Sequence, residues 1–354
     1  MEKQSFPMTS PAPRLTLRRP DDWHVHLRDG ALLGAVAGAT ARVFGRAIVM
    51  PNLKPPVTTV AAAEAYRARI AAALPPGARF EPLMTLYLTD ATTAAEIAAA
   101  KASGFVHAVK YYPAGATTNS DSGVTRLDRV YPALAAMERH GVVLSVHGEV
   151  TDADVDMFDR EHVFVDTLLP RIVRDFPALR IVLEHLTTRE AVDYVREGAP
   201  TLAGTITPQH LLYSRNALLA GGLRPHLYCL PILKREAHRL ALVAAATSGN
   251  ARFFLGTDSA PHLRHVKESD CCGAGCYSAP IAIELYAEVF EDAGALDRLE
   301  AFASHHGADF YGLPRHADTI TLLREPWTVP AGYPAAGDTI VPLRAGMSLR
   351  WRVT

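Results

Sequence analysis

The chain has 354 residues, of which 49% are hydrophobic, 36 are basic and 37 are acidic. The balanced charge contains no block of like sign, which argues against nucleic acid or a membrane surface as a partner. Three of the four cysteines crowd one loop, a pattern that is not a disulfide framework and indicates a reducing compartment. No apolar run reaches about 18 residues, and the N-terminus lacks a signal-peptide pattern. We therefore expect a cytoplasmic protein without a membrane span.

Short apolar runs alternate with amphipathic stretches along the chain. There are eight such runs, at 23–26, 47–52, 83–89, 108–113, 142–148, 181–186, 202–208 and 253–258. Most are near-continuously apolar, as strands buried on both faces are. Helical patterns separate several of them, at 61–73, 94–102, 130–139 and 189–197. This alternation predicts an α/β fold, the (β/α)8 TIM barrel. A doubly wound open sheet is the alternative, but no Gly-x-Gly-x-x-Gly follows the first strand.

The ends of the chain suggest its domain organisation. Residues 1–13 contain three prolines and are expected to form a loose tail. Residues 14–354 are then predicted to form a single catalytic barrel, with a short C-terminal appendage from about residue 326. The appendage carries strand-like runs at 339–341 and 348–351 but is too short to be a second domain.

The first apolar run carries His24 and His26, two residues apart. Residues i and i+2 of a strand point to the same face, so both imidazoles can converge on one metal ion. Arg28 is expected to continue the same face. Alone, a His-x-His pair is a weak signal for a metal site.

Other polar residues stand at or near the ends of later runs, and a barrel brings those ends together at one rim. Six residues there are of types found in zinc sites or convertible to a ligand: His24, His26, Lys110, His147, His185 and Asp258. Taken singly, each has an ordinary explanation. His147 and His185 are each consistent with a satisfied buried histidine, and Asp258 is consistent with a helix cap. The convergence of all six on one rim favours a metal centre.

Lys110 lies inside an apolar strand, where burying an ammonium group is costly. Burial lowers the pKa of a lysine and leaves a neutral amine that can react with carbon dioxide. The resulting carbamate is an anion with two oxygens, suited to bridging two cations. The alternative is a lysine at the edge of the core that extends its amine to solvent.

Longer motifs surround these residues, at 18–30 (RRPDDWHVHLRDG), 46–53 (RAIVMPNL), 146–149 (VHGE), 205–210 (TITPQH), 224–231 (RPHLYCLP) and 254–262 (FLGTDSAPH). The ligand set resembles the amidohydrolase superfamily, and the motifs resemble its bacterial-type dihydroorotase family. The similarity extends from about residue 14 to about residue 325. No substitution is evident at a metal or substrate position of the family pattern.

The resemblance implies two zinc ions per subunit. His24, His26 and Asp258 would hold the first ion and His147 and His185 the second, while Lys110, as N6-carboxylysine, and a hydroxide would bridge the two. It also implies residues that bind the substrate. The carboxylate would be bound by Arg28, Asn52 and His262, the ring by backbone groups of Leu230 and Ala274, and the open-chain form by a loop containing Thr117 and Thr118.

The implied reaction is the reversible closure of N-carbamoyl-L-aspartate to L-dihydroorotate with loss of water, the third step of de novo pyrimidine (UMP) biosynthesis. Asp258 is expected to accept the proton of the hydroxide and pass it to the leaving nitrogen. Arg28 suits a fixed carboxylate because its guanidinium forms a two-pronged pair; a rim salt bridge is the alternative. The family also suggests a homodimer.

Two other functions remain open at this point. One is another cyclic-amide hydrolase, such as a hydantoinase or dihydropyrimidinase, whose substrates lack the ring carboxylate that Arg28 and Asn52 would bind. The other is a non-catalytic barrel that acts as a scaffold.

Separately, Cys271, Cys272 and Cys276 could form a zinc knuckle, although no second Cys/His pair follows at suitable spacing. A glycine-containing active-site loop with incidental cysteines is the favoured interpretation.

Overall fold

A computed structural model describes residues 13–354, in which eight parallel strands form a barrel. Strand β1 (Arg14–Arg18) lies outside it. The barrel strands pair in chain order and are β2 (Asp21–Val25), β3 (Arg46–Val49), β4 (Glu81–Tyr87), β5 (Val106–Tyr111), β6 (Val143–Val146), β7 (Ile181–Leu183), β8 (Leu202–Ile206) and β9 (Phe253–Leu255). The predicted TIM barrel is confirmed, and each apolar run supplies one strand. The tail predicted for residues 1–13 falls, apart from Pro13, outside the described range.

The barrel closes between its first and last strands, β2 and β9. Just beyond β9, the backbone N–H of Asp258 donates to the carbonyl of His24 (2.8 Å), and the N–H of His26 donates to the carbonyl of Ser259 (3.0 Å). A parallel bridge joins Val25 to Ser259. Closure of the barrel therefore places the predicted ligands on β2 directly beside the one that follows β9.

Thirteen α-helices occur in the described part of the chain. They are α1 (Gly30–Val43), α2 (Val60–Ala73), α3 (Ala94–Ser103), α4 (Tyr131–His140), α5 (Arg160–Thr167), α6 (Leu169–Asp175), α7 (Arg189–Glu197), α8 (Pro208–Leu212), α9 (Arg215–Leu219), α10 (Glu236–Ala246), α11 (Arg264–Lys267), α12 (Ala282–Asp292) and α13 (His306–Tyr311). The four predicted helices correspond to α2, α3, α4 and α7. Thr59, Thr93 and Thr188 begin three of these, because each hydroxyl accepts a backbone N–H of the first turn.

Apolar side chains fill the lower half of the barrel interior. Every barrel strand contributes to this cluster, and α13 adds Ala308 and Tyr311. The ring of Tyr311 stacks on Trp23 of β2, with centroids 4.6 Å apart. The predicted ligands lie at the opposite end, which is where barrel enzymes carry their active sites.

The C-terminal part of the chain forms small antiparallel sheets beside the barrel. Its strands are β10 (Thr319–Leu323), β11 (Trp327–Thr328), β12 (Tyr333–Ala335), β13 (Asp338–Ile340), β14 (Ser348–Leu349) and β15 (Arg352–Val353). Strand β10 pairs with both β1 and β15, so the N-terminal strand joins the C-terminal segment. The predicted runs at 339–341 and 348–351 overlap β13 and β14. Pairing with β1 was not predicted, because antiparallel partners about 300 residues apart leave no local signal.

Within residues 13–354, none of the helices combines the length and apolar character that crossing a membrane requires.

Gly307 of α13 allows the helix to lie against the barrel floor. A methyl group added there would overlap the indole of Trp23. We expect Gly307→Ala to lower the free energy of unfolding by about 1–3 kcal/mol, as overpacking does, measured by urea titration. The matched control is Gly34→Ala on α1, where the added methyl group meets open space. That variant should be unchanged or more stable, by roughly 0.5–1 kcal/mol. Equal stability of the two variants would contradict this packing account.

Candidate active site

His24, His26 and Asp258 form the centre of a polar site at the C-terminal end of the barrel. Their ligand atoms all lie within 4.8 Å of one another, and all three residues are buried. Oδ1 of Asp258 lies 3.1 Å from Nε2 of His26 and 3.3 Å from Nε2 of His24. The three groups converge because β2 and β9 meet at the closure of the barrel. This arrangement has the donor types and spacing of a metal site.

The other ring nitrogen of each histidine on β2 has a partner that fixes the ring. Nδ1 of His24 lies 3.0 Å from Oε2 of Glu184, and Nδ1 of His26 lies 2.9 Å from Oδ1 of Asn52. Partners of this kind set the tautomer of a ligating histidine and raise its basicity. Both Nε2 atoms are consequently directed toward Asp258.

His147 and His185 extend the same group around the rim. The ring centroid of His185 lies 5.1 Å from that of His24 and 4.8 Å from that of His147. Nε2 of His147 lies 2.8 Å from Oε2 of Glu149, which leaves its Nδ1 available. Nδ1 of His185 is buried and makes no hydrogen bond with the described residues.

Lys110 lies beneath these histidines with none of its surface exposed. Its Nζ forms no hydrogen bond with any described residue, although buried amines normally have several partners. Burial lowers its pKa to about 8, while the negative charges of Glu184 and Asp258 oppose that shift. About a tenth of the amine is therefore neutral at pH 7, far more than for a lysine with its ordinary pKa.

Burial also sets the charge of the ligands. It lowers the pKa of His24 and His185, and lowers that of His26 well below its ordinary value, with Arg28 adding to the effect at His26. These imidazoles are therefore neutral near pH 7, the form that binds metals. Burial raises the pKa of Asp258, and the neighbouring His24 and Lys110 oppose that rise.

A small cavity opens above this group. Its lining includes the predicted residues His24, His26, Arg28, Asn52, Thr117, Thr118, His147, His185, Leu230, Asp258 and Ala274. Lys110 lies below the cavity floor. His262 lines the adjoining outer cavity, with Arg28 between the two.

Arg28 does not lie on the strand face, and that prediction was wrong. Strand β2 ends at Val25, and Arg28 has a left-handed backbone, with φ 56°. The guanidinium reaches the cavity because Nε donates to the carbonyl of Pro261 (3.0 Å) and Nη2 lies 3.0 Å from Nε2 of His262. Nε2 of His262 also lies 2.9 Å from the carbonyl oxygen of Ala274. Burial lowers the pKa of His262 to about 3, so a neutral imidazole stands beside the arginine.

Asn52 connects the site to the loop that carries Thr117 and Thr118. Its Nδ2 donates to the carbonyl of Thr118 (3.0 Å), and Nδ2 of Asn119 donates to the carbonyl of Asn52 (2.9 Å). The loop is therefore held over the cavity in this conformation. One of the two amide hydrogens of Asn52 is engaged by the loop, which leaves the other for a ligand.

Three residues of the site share an uncommon backbone conformation. Arg28, His185 and Asp258 have φ values of 56°, 42° and 44°, a region that side chains other than glycine adopt at a cost of roughly 1–3 kcal/mol. In each case the chain turns sharply at or just after the end of a strand. The turns direct these side chains inward, over the barrel mouth.

Comparison with known proteins identifies the family. Residues 22–329 match the model described as "Amidohydrolase family". A dihydroorotase of Cupriavidus necator is 66% identical over 339 residues, covering 96% of this chain and 98% of that protein. The crystal structure of a dihydroorotase from Campylobacter jejuni superposes with a TM-score of 0.90 at 34% identity, covering 98% of this chain and 99% of that one.

The chain belongs to the dihydroorotase family of amidohydrolases. It is therefore a cyclic amidohydrolase, and its TIM barrel is the fold of that family. A dihydroorotase of Saccharomyces cerevisiae, solved in complex with 5-fluoroorotic acid, also superposes, with a TM-score of 0.89 at 33% identity over 96% of this chain and 98% of that one.

Hydantoinases share the fold with this dihydroorotase-family chain but are more distant. The L-hydantoinase of Arthrobacter aurescens superposes with a TM-score of 0.79 at 16% identity, covering 96% of this chain and 82% of that one. Identity at this level shows the common fold alone.

Sequence reasoning missed three polar residues of this family member. Glu184 is wholly buried, and besides His24 it accepts hydrogen bonds from the hydroxyls of Ser145 (2.5 Å) and Thr205 (2.6 Å). Glu149 contacts His147, and Tyr112 lines the cavity. The sequence does contain a signal for Glu184, because its carboxylate lies within an apolar run. The same argument singled out Lys110.

The cysteines of the family member do not form a zinc knuckle with one another. Sγ of Cys272 faces the carbonyl of Pro225 (3.7 Å), and Sγ of Cys276 faces the carbonyl of His226 (3.5 Å). Cys271 is exposed. The glycine-containing loop borders the cavity through Ala274 and Gly275 instead, which agrees with the favoured interpretation.

The contacts of Glu184 predict that it holds His24 in the ligating orientation. We expect Glu184→Gln to weaken metal retention about 10- to 100-fold, the usual effect of losing such a partner, measured as metal content after dialysis against a weak chelator. Glu284→Gln is the matched control, since Glu284 is equally buried but pairs with Arg42. Metal retention equal to that of the unsubstituted protein would show that Glu184 does not orient His24.

Proposed function

We propose that this chain catalyses the reversible closure of N-carbamoyl-L-aspartate to L-dihydroorotate and water, the third step of de novo pyrimidine biosynthesis. The observation that carries the proposal is that one small cavity joins the His24, His26 and Asp258 group to a partly buried arginine, Arg28. Ring opening needs the first group, and recognition of the substrate carboxylate needs the second. The dihydroorotases that resemble this chain over nearly its whole length support this assignment.

The donor set fits two zinc ions, and we propose the following arrangement. His24, His26 and Asp258 hold one ion and His147 and His185 the other, while Lys110, carboxylated on Nζ, bridges them. Two buried nitrogens without hydrogen-bond partners among the described residues, Nζ of Lys110 and Nδ1 of His185, support this arrangement. Leaving such atoms unpaired costs about 1–3 kcal/mol each, unless ligation or carboxylation satisfies them.

Zinc ions held there would supply a hydroxide at neutral pH and polarise the attacked ring carbonyl. Asp258 is proposed to move the proton. Its Oδ1 faces the centre of the group, and the carboxylate lines the cavity, so it reaches both the nucleophile and the ring nitrogen. In hydrolysis it accepts the proton of the nucleophile and donates it to the leaving amide nitrogen. In the biosynthetic direction the same transfers run in reverse.

Arg28 is proposed to bind the substrate carboxylate, with help from His262 and Asn52. The contacts of Arg28 with Pro261 and His262 fix the guanidinium before substrate arrives, which reduces the entropy lost on binding. Asn52 offers its second amide hydrogen. Backbone groups of Leu230 and Ala274, which line the same cavity, would contact the ring.

Thr117 and Thr118 are proposed to close over the open-chain substrate. Both residues line the cavity, and the hydrogen bond from Asn52 to the carbonyl of Thr118 holds their loop above it. Two hydroxyls in that position can donate to a developing oxyanion and exclude water.

The hydantoinase alternative is disfavoured by the same cavity, because hydantoinase substrates carry no ring carboxylate for Arg28 to bind. A scaffold role is disfavoured because all six ligand-type residues are retained and lie together at the barrel mouth. We further propose that the protein acts in the cytoplasm as a homodimer, as its family suggests, with residues 14–354 as one catalytic domain.

The direct test is the ring-opening reaction itself. We expect the purified protein to hydrolyse L-dihydroorotate, followed as loss of the ring absorbance, and to be inactive on hydantoin. A strong chelator should abolish activity and added zinc should restore it, because the metal supplies both the hydroxide and the polarisation of the carbonyl. Turnover of hydantoin in place of dihydroorotate would overturn the proposed substrate.

Removing the arginine tests the carboxylate assignment. We expect Arg28→Ala to raise the KM for dihydroorotate about 100-fold, since a charge-assisted hydrogen-bonded pair is lost, while metal content is unchanged. The matched control is Arg69→Ala, which removes a half-exposed arginine paired with Asp29 near the same loop. An unchanged KM in Arg28→Ala would assign the carboxylate to another group.

A further inference from the structure

Tyr112 lies in the wall of the cavity and has no role in the mechanism described above. It follows β5 two residues after Lys110, and residues i and i+2 of an extended segment share a face. Its side chain therefore stands above Lys110, nearer the barrel mouth, as His26 stands above His24. The residue is 1% exposed, yet it lines the cavity.

The ring of Tyr112 is fixed on several sides. Nζ of Lys110 lies 5.2 Å from the ring centroid. The rings of Tyr87 and His147 lie 5.1 Å and 6.0 Å from it, at tilted angles. The face of the ring covers Lys110, so an aromatic ring without a hydroxyl would pack equally well at this position. The hydroxyl therefore needs a separate explanation.

The hydroxyl of Tyr112 is buried and forms no hydrogen bond with any described residue. Buried phenols usually have a partner, because an unpaired hydroxyl is costly and phenylalanine would fill the same space without that cost. Tyr112 borders the cavity already assigned to the substrate. A phenol is protonated at neutral pH, so it offers that space a hydrogen-bond donor.

Resting on the function proposed above, we propose that Tyr112 is a further catalytic residue whose hydroxyl donates a hydrogen bond to the reacting carbonyl oxygen of the substrate. The position of the ring over Lys110 and against His147 places the donor on the reacting side of the cavity. The substrate carboxylate is assigned to Arg28, at the point where it meets His262. A fixed donor of this kind stabilises the negative charge that develops on the oxygen as the nucleophile attacks.

The test is Tyr112→Phe, which retains the ring and removes only the hydroxyl. We expect kcat for dihydroorotate to fall about 100-fold, the usual loss for one oxyanion donor, with KM changed by less than about threefold. Metal content should equal that of the unsubstituted protein, and thermal stability should be equal or higher, because an unpaired buried hydroxyl is removed. Stability and metal content are readouts that do not depend on activity.

Tyr311→Phe is the matched control. The Tyr311 hydroxyl is also buried without a hydrogen-bond partner among the described residues, but its ring stacks on Trp23 at the opposite end of the barrel. This variant should retain full kcat. Equal kcat values for the two variants would overturn the inference.

The remaining outcomes are also decisive. Loss of metal from Tyr112→Phe would show a role in the metal centre, and a rise in KM alone would show a contact with the substrate carboxylate; each overturns the proposal. If the unsubstituted protein does not open dihydroorotate, the proposed function is wrong. If it does, and Tyr112→Phe is equally active, only the role of the Tyr112 hydroxyl is wrong.

Discussion

The closure of the barrel between β2 and β9 is the constraint on which the site depends. Two backbone hydrogen bonds join the strands there, and the buried carboxylate of Asp22 accepts from both the N–H (2.8 Å) and the hydroxyl (2.6 Å) of Thr257. Burial raises the pKa of Asp22 to about 7, although these hydrogen bonds oppose it. The same seam aligns His24 with Asp258, so the contacts that complete the fold also assemble the metal-ligand group.

Burial determines the chemistry of the groups that this seam brings together. In water, histidine, lysine and aspartate at such distances would repel or pair according to their ordinary charges. Inside the barrel, desolvation lowers the pKa of Lys110, His24, His26 and His185 and raises that of Asp258. The result is three neutral imidazoles close to the carboxylate of Asp258, a donor set that suits cations. The nitrogens without hydrogen-bond partners are the structural sign of that preference.

The opposite end of the barrel provides rigidity for this arrangement. Trp23 and Tyr311 stack there, and apolar side chains from every strand fill the interior. Positive φ values occur at the mouth instead, at Arg28, His185 and Asp258. Strained backbone at these positions persists because the well-packed strands before them fix where each turn begins. The packing that stabilises the barrel therefore lies at one end of its axis, and the turns that shape the site lie at the other.

Much of the fold could be predicted from the sequence because its signals are local. Eight apolar runs and the helices between them specify a parallel barrel, and residues at the strand ends must then meet at one rim. Contacts between residues far apart in the chain were not predicted, such as the pairing of β1 with β10 and the contact of Glu184 with His24. The sequence also could not show that Arg28 leaves the strand, since a left-handed arginine has no composition signature.

By itself, then, the sequence determined the barrel, the ligand types and the family pattern, because periodicity and residue chemistry are properties of the chain. Only the tertiary structure decided which nitrogen of each histidine faces the centre, how Asn52 joins His26 to the loop above the cavity, and which buried atoms lack partners. Those properties arise from contacts between residues far apart in the chain. They are fixed only when the first and last strands of the barrel meet.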